Sequence, residues 1–134
     1  MAGETQRTSA SARGTPEGVT VIGCGFVADL YMRSLRTFPQ IQVLGAFDQD
    51  AQRMAAFCAH WSIPALPDMG AALATGGLIL NLTNPTSHAD VIRASLEAGR
   101  HVFSEKPMVL DLDTAKSLRA LAGERRVQLA TAPS

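Results

Sequence analysis

Val19-Thr20-Val21-Ile22-Gly23-Cys24-Gly25-Phe26-Val27-Ala28 is the stretch on which the fold turns. Four residues, three of them apolar and β-branched, stop abruptly at a glycine, as a buried parallel strand does. A second glycine follows two positions later, and an amphipathic segment then runs from Val27 to Phe38. Glycine pairs with this spacing occur by chance in many chains. Placed between a strand and a helix, the pair acquires a physical meaning.

That meaning is close approach. Gly23 permits a tight turn, Gly25 lacks the Cβ that would keep a pyrophosphate off the backbone, and Ala28 is small enough for the helix to lie on the strand. The helix N-terminus adds free N–H groups and a partial positive charge. The pattern predicts a dinucleotide held by Gly23, Cys24, Gly25, Phe26 and Val27. Cys24 reads as a spacer whose backbone matters more than its thiol.

Outward from this turn, apolar runs alternate with amphipathic ones. Leu30, Tyr31, Ser34 and Leu35 are expected on one side of the first helix, which Pro39 ends. Ile41 to Phe47 is a second strand closing at Asp48, followed by a helix from about Asp50 to His60. A short extended piece, Ile63 to Leu66, is broken by Pro64 and Pro67, and Asp68 can cap a small helix to about Ala74. Leu78 to Thr83 forms the next strand, ending in Asn84-Pro85. Ser87 can cap a helix whose Val91, Ile92, Ser95 and Leu96 share a face, and Gly99 supplies a left-handed stop. His101 to Ser104 is a fifth strand, and Asp111 or Asp113 opens a last helix with Ala115, Leu118, Leu121 and Ala122 inward. Val127 to Thr131 is a sixth strand. Strict alternation of this kind predicts an α/β, doubly wound parallel sheet of the Rossmann type, with strand order 3-2-1-4-5-6.

The bulk properties fit one domain. The chain has 134 residues, 46% hydrophobic and 18% charged, and no net charge. That balance gives no electrostatic footprint for nucleic acid or an anionic membrane. No stretch reaches the length of a membrane span. Residues 1–18 are rich in Ser, Thr, Gly and Ala and read as a loose tail, not a secretory signal, ahead of a domain over 19–134. Cys24 and Cys58 lack the spacing of a zinc or dithiol motif, so no metal is expected and a reduced, cytoplasmic chain is the default.

Two charged positions carry further chemistry. Asp48 ends the second strand some twenty residues past the glycines, where a carboxylate accepts hydrogen bonds from the ribose hydroxyls. It would repel a 2′-phosphate, and no Lys or Arg comes before Arg53, so NAD is favoured over NADP. Asp50 reads as a helix cap. Glu105-Lys106-Pro107 follows the fifth strand, at the edge of the sheet where ligands bind, and a lysine there can stabilise charge or assist proton transfer on a reacting oxygen.

The glycine turn, Thr83-Asn84-Pro85 with His88, and the run Ala98-Gly99-Arg100-His101-Val102-Phe103-Ser104-Glu105-Lys106-Pro107 together resemble the N-terminal domain of the Gfo/Idh/MocA oxidoreductases. The resemblance covers about Val19 to the end of the chain. It implies that Lys106 touches substrate and nicotinamide ribose, and that a cis peptide before Pro107 aims the lysine. It also implies that Leu82, Thr83, Asn84, Pro85 and His88 line the nicotinamide side, and that Glu105 contacts the cofactor. His88 alternatively reads as an exposed residue of a first helical turn, and His60 and His101 as structural or exposed. Family members carry a second α+β domain that completes the substrate pocket, which this sequence does not contain. The expected function is the NAD(P)-binding part of an enzyme moving hydride between nicotinamide and a hydroxyl-bearing carbon of a sugar or polyol, with the chain alone inactive. A non-catalytic module sensing NAD(H) is the alternative. An S-adenosylmethionine-dependent methyltransferase shares the glycine turn but leaves Glu105-Lys106-Pro107 unexplained. Oligomeric state is open.

Overall fold

The computed structural model describes residues 17–106 and 111–131. Its elements alternate as β1 (Glu17–Ile22), α1 (Phe26–Leu35), β2 (Ile41–Phe47), α2 (Ala51–Trp61), α3 (Met69–Thr75), β3 (Leu78–Asn81), α4 (Pro85–Glu97), β4 (His101–Ser104), α5 (Leu112–Arg125) and β5 (Leu129–Thr131). The five strands are parallel in the order β2-β1-β3-β4-β5.

The expected architecture is present, with five strands instead of six among the described residues. Ile63 to Leu66 lies beside β2 where a third strand was expected, yet it contributes only a single parallel bridge, Ala46 to Ala65. The prolines explain the loss. Pro64 and Pro67 have no N–H to give a ladder, and the segment keeps two bonds, Ala46 N to Pro64 O at 3.1 Å and Leu66 N to Ala46 O at 2.9 Å. Counted with this remnant, the neighbours still run 3-2-1-4-5-6.

Both sheet faces are covered, and the period of two along each strand divides the core. Val19, Val21 and Leu80 meet Ala28, Met32, Phe57 and Cys58 of α1 and α2 on one side. Ile22, Ile79 and Val102 meet Ile92, Leu96 and Leu118 of α4 and α5 on the other.

The helix boundaries correct several expectations. The buried face of α1 is Ala28 and Met32, with Tyr31 and Leu35 half-buried, while Leu30 and Ser34 point outward. Ala28, the smallest residue available, sets the contact with the strand and rotates the face toward itself. The helix stops at Leu35, before Pro39 is reached. α4 begins one turn earlier than expected, with Asn84 as N-cap and Pro85 in the first turn, so Ser87 does not cap it; proline's fixed φ suits that position. Asp50, Asp68 and Asp111 cap their helices through bonds to the N–H groups of Arg53, Ala71 and Thr114. Gly99, at φ +77°, supplies the expected left-handed stop after α4. β1 starts at Glu17, inside the stretch read as tail; the remainder of that tail, like Pro107 and its peptide bond, lies outside the described residues. Among the described residues no helix is long and apolar enough to cross a membrane.

Candidate functional site

Parallel strands deliver all their carboxyl ends to one edge. Phe47, Ile22, Asn81 and Ser104 stand in a row across β2, β1, β3 and β4. One residue further along each strand come Asp48, Gly23, Leu82 and Glu105. Ladder-like bonds continue past the row: Gly23 N to Phe47 O at 2.9 Å, Leu82 N to Ile22 O at 2.8 Å and Glu105 N to Asn81 O at 3.0 Å. Four positions scattered over 83 residues of sequence thus become neighbours by register alone.

Above this row opens a crevice of about 710 Å³, whose walls include Gly23, Cys24, Gly25, Phe26, Val27, Asp48, Leu82, Thr83, Asn84, Pro85, His88, Glu105 and Lys106. The residues expected to hold the cofactor therefore all border one cavity. Gly23 has φ +101°, and a Cβ there would sit 2.6 Å from the carbonyl carbon of Leu82; only glycine permits the turn and its close passage over the next strand. Gly25 differs. It is the N-cap of α1, and a Cβ built on it would meet nothing within 4 Å, because it would project into the open crevice. The cap has no side chain to occupy the N–H groups of the first helical turn, so the positive end of the helix faces the cavity.

Asp48 does more than the sequence suggests. Its Oδ2 accepts from Cys24 N at 2.8 Å and its Oδ1 from Asp50 N at 2.7 Å. The carboxylate ties the glycine turn to the end of β2 and starts the turn into α2. Arg53 also returns to it, with Nε 3.4 Å from Oδ2 and a second approach to Asp50 at 3.6 Å. No Lys or Arg precedes Arg53 in the sequence after Asp48, yet Arg53 itself reaches the carboxylate. Capping by Asp50 places Arg53 one helical turn on, back over the strand end, so the electrostatic case against a 2′-phosphate rests on the carboxylate alone. Cys24 keeps its side chain in the core, where burial, and then the charge of Asp48, push the thiol up to about 12. It remains a neutral thiol, and its backbone N–H is already committed to Asp48.

His88 is 1% exposed, which overturns its reading as an exposed first-turn residue. It shares the helical face of Ile92 and Ser95, and its Nε2 donates to Thr83 O at 2.7 Å. The same wall is held by Asn81, a position that the sequence presents only as one more strand residue. Asn81 is fully buried. Its Oδ1 accepts from Thr83 Oγ1 at 2.7 Å and Thr83 N at 3.3 Å, and its Nδ2 donates to Ser104 Oγ at 3.2 Å and His88 O at 3.4 Å. A lone polar residue inside the apolar run Leu78 to Leu82 is the signal that marks it, since a buried amide persists only when its bonds are met. Glu105 is half-buried and Lys106 exposed on the crevice wall. His60 is exposed, and exposed His101 accepts at Nδ1 from Gln128 N at 3.0 Å. Among the described residues no cluster of three or more His, Cys, Asp or Glu could hold a metal ion.

Comparison with known proteins agrees with this geometry. Residues 18–132 match the model of the Gfo/Idh/MocA family, described as an oxidoreductase family with an NAD-binding Rossmann fold. The chain is 32% identical over 110 residues to UDP-N-acetylglucosamine 3-dehydrogenase of Acidithiobacillus ferrooxidans, covering 82% of this chain and 34% of that protein. It is 27% identical over 118 residues to inositol 2-dehydrogenase 3 of Saccharopolyspora erythraea, covering 83% and 35%. Among solved structures, GenD2 from gentamicin A biosynthesis in complex with NAD superposes with TM-score 0.83 at 28% identity, over 87% of this chain and 34% of that one. The chain thus spans about a third of the length of these relatives. It belongs to the Gfo/Idh/MocA oxidoreductase family, as the part that forms the NAD-binding Rossmann fold.

Proposed function

We propose that the crevice holds NAD, with NADP the weaker ligand, and that the chain is the cofactor domain of an oxidoreductase acting on a hydroxyl-bearing carbon of a sugar or polyol. The observation that carries this reading is the open space above Gly25 at the uncapped start of α1. A diphosphate would lie there against the backbone from Gly23 to Val27, held by N–H groups and the helix dipole. Asp48 would take the adenosine ribose. Its two bonds to backbone N–H groups leave lone pairs for sugar hydroxyls and fix the carboxylate in place. Leu82, Thr83, Asn84 and Pro85, held by Asn81 and His88, would form the nicotinamide wall, with Glu105 and Lys106 facing it.

Nicotinamide, when bound, supplies the carbon that accepts or gives up hydride. The chain's own part is positional and electrostatic. Lys106 would offer ammonium hydrogens to the oxygen of the reacting carbon and stabilise negative charge on it. The dehydrogenases named above support a sugar or polyol as substrate class, and their greater length supports a second domain that completes the substrate pocket. The free, buried thiols of Cys24 and Cys58 support the cytoplasm as its compartment.

Calorimetric titration of the chain with NADH and NADPH tests this. Saturable binding of NADH, tighter than that of NADPH, is the expected result, with no turnover of inositol or other polyols by the chain alone. Absence of binding by either dinucleotide removes the proposal.

A further inference from the structure

Tyr31 is the chain's single tyrosine; it packs against the core behind the crevice and reaches one of the crevice-lining residues, Glu105. Its hydroxyl donates to Oε1 of Glu105 at 2.5 Å, across 74 residues of sequence. Its ring meets Phe103 edge-on, with centroids 6.3 Å apart. The bond joins the helix whose start faces the diphosphate site to the Glu105-Lys106 turn at the other end of the cavity.

The backbone of Glu105 is fixed by its N–H bond to Asn81, but that does not fix a side chain with three rotatable bonds. Tyr31 does. A tyrosine has only two such bonds, and packing against Phe103 restrains this ring, so its hydroxyl is a stationary donor. Held this way, the Glu105 carboxylate is turned toward α1. Among the described residues no ion pair joins it to Lys106, so the ammonium stays unmasked on the crevice wall. Asp29, the acid on α1, is engaged elsewhere, accepting from Trp61 Nε1 at 2.8 Å.

Resting on the cofactor reading above, we propose that Tyr31 is a positioning residue: it holds Glu105 at the nicotinamide end of the crevice and so sets the geometry in which Glu105 and Lys106 meet the cofactor. A side chain serving only to pack α1 would need the ring and not the hydroxyl. The burial of Tyr31 and its bond to Glu105 together push its phenol up to about 12, so it is a proton donor throughout the neutral range.

The test uses the full chain, NADH, and ADP-ribose as a ligand that lacks nicotinamide. Tyr31→Phe keeps the ring and removes the hydroxyl. Its dissociation constant for NADH should rise about fivefold or more, because a released Glu105 must be ordered again when the cofactor binds, while ADP-ribose binding stays within about twofold. The double variant with Glu105→Gln should bind NADH no worse than Glu105→Gln alone, because Tyr31 acts through Glu105. The ring-labelled resonance of the one tyrosine should move on adding NADH and much less with ADP-ribose, a readout that needs no variant to fold. If wild-type chain binds neither ligand, the cofactor reading fails and takes this inference with it. If wild-type chain binds NADH but its tyrosine resonance stays put, or folded Tyr31→Phe binds NADH with unchanged affinity, the inference fails alone.

Discussion

Gly23 and Gly25 stand two positions apart, yet a methyl group added to each meets different obstacles. At Gly23 it collides with the Leu82–Thr83 backbone, on a residue held at φ +101°. Gly23→Ala should destabilise the chain by about 3 kcal/mol, from strain and clash together. At Gly25 the methyl enters empty space, and the backbone there is extended, so Gly25→Ala should melt within about two degrees of wild type. Its NADH affinity should nonetheless fall at least about tenfold, because the methyl stands where the diphosphate would touch the backbone. Thermal melts and titrations on the two variants read both effects, and a Gly25→Ala protein that binds NADH normally would move the diphosphate elsewhere. The need for both glycines was legible in their spacing. So was the division between a turn glycine and an approach glycine; what was not legible is the obstacle at Gly23, the Leu82–Thr83 backbone, because that depends on what the fold places over its Cα.

Aspartate caps are legible in the sequence, whereas the Ser87 cap gives way to Asn84 and Pro85 and helix faces are set by packing. Asp50, Asp68 and Asp111 capped as their side-chain oxygens allow, a local effect within three or four residues. The face of α1 was misread because Leu30 is large and apolar, whereas contact with β1 favours the small Ala28. α5 shows the same limit. Of the four residues expected inward, Leu118 and Ala122 are buried, while Ala115 and Leu121 are only partly covered. Leu118 thus provides most of that helix's grip on the sheet. Leu118→Ala should lower unfolding free energy by about 3 kcal/mol, and Leu112→Ala, at a residue 68% exposed, by less than about 0.5 kcal/mol. Urea denaturation distinguishes them; equal effects would mean that α5 is held by contacts along its whole length.

At the scale of the molecule, the buried polar groups behind the crevice make stability depend on alkaline pH. Burial raises the Cys24 thiol from 9.0 to about 12, and the nearby charge of Asp48 adds to it. Burial and the Glu105 bond raise Tyr31 from 10.0 to about 12. In the unfolded chain both lose their protons nearer their ordinary values, so the unfolded state binds fewer protons between these limits. Stability from this source is complete below about pH 9 and declines as pH approaches about 12. The melting temperature should therefore fall over that window, and Cys24→Ala should make the decline shallower. A variant whose melting temperature declines as steeply as wild type would show that the thiol is not held neutral by the fold.

What the chain's residues determined unaided is the order of elements and which residues border the crevice. Apolar runs, glycines, caps and the Glu105-Lys106 pair act over a few neighbouring residues, and such effects are written locally. The prolines even carried the warning about the weakened third strand. Only tertiary structure decided which distant side chains meet: Asp48 with the Cys24 backbone, Arg53 returning to Asp48, Asn81 with Ser104 and His88, Tyr31 with Glu105. Those meetings depend on strand register and helix rotation. Both are settled by packing the whole core at once, since a shift of one residue or a fraction of a turn would aim each of these groups somewhere else.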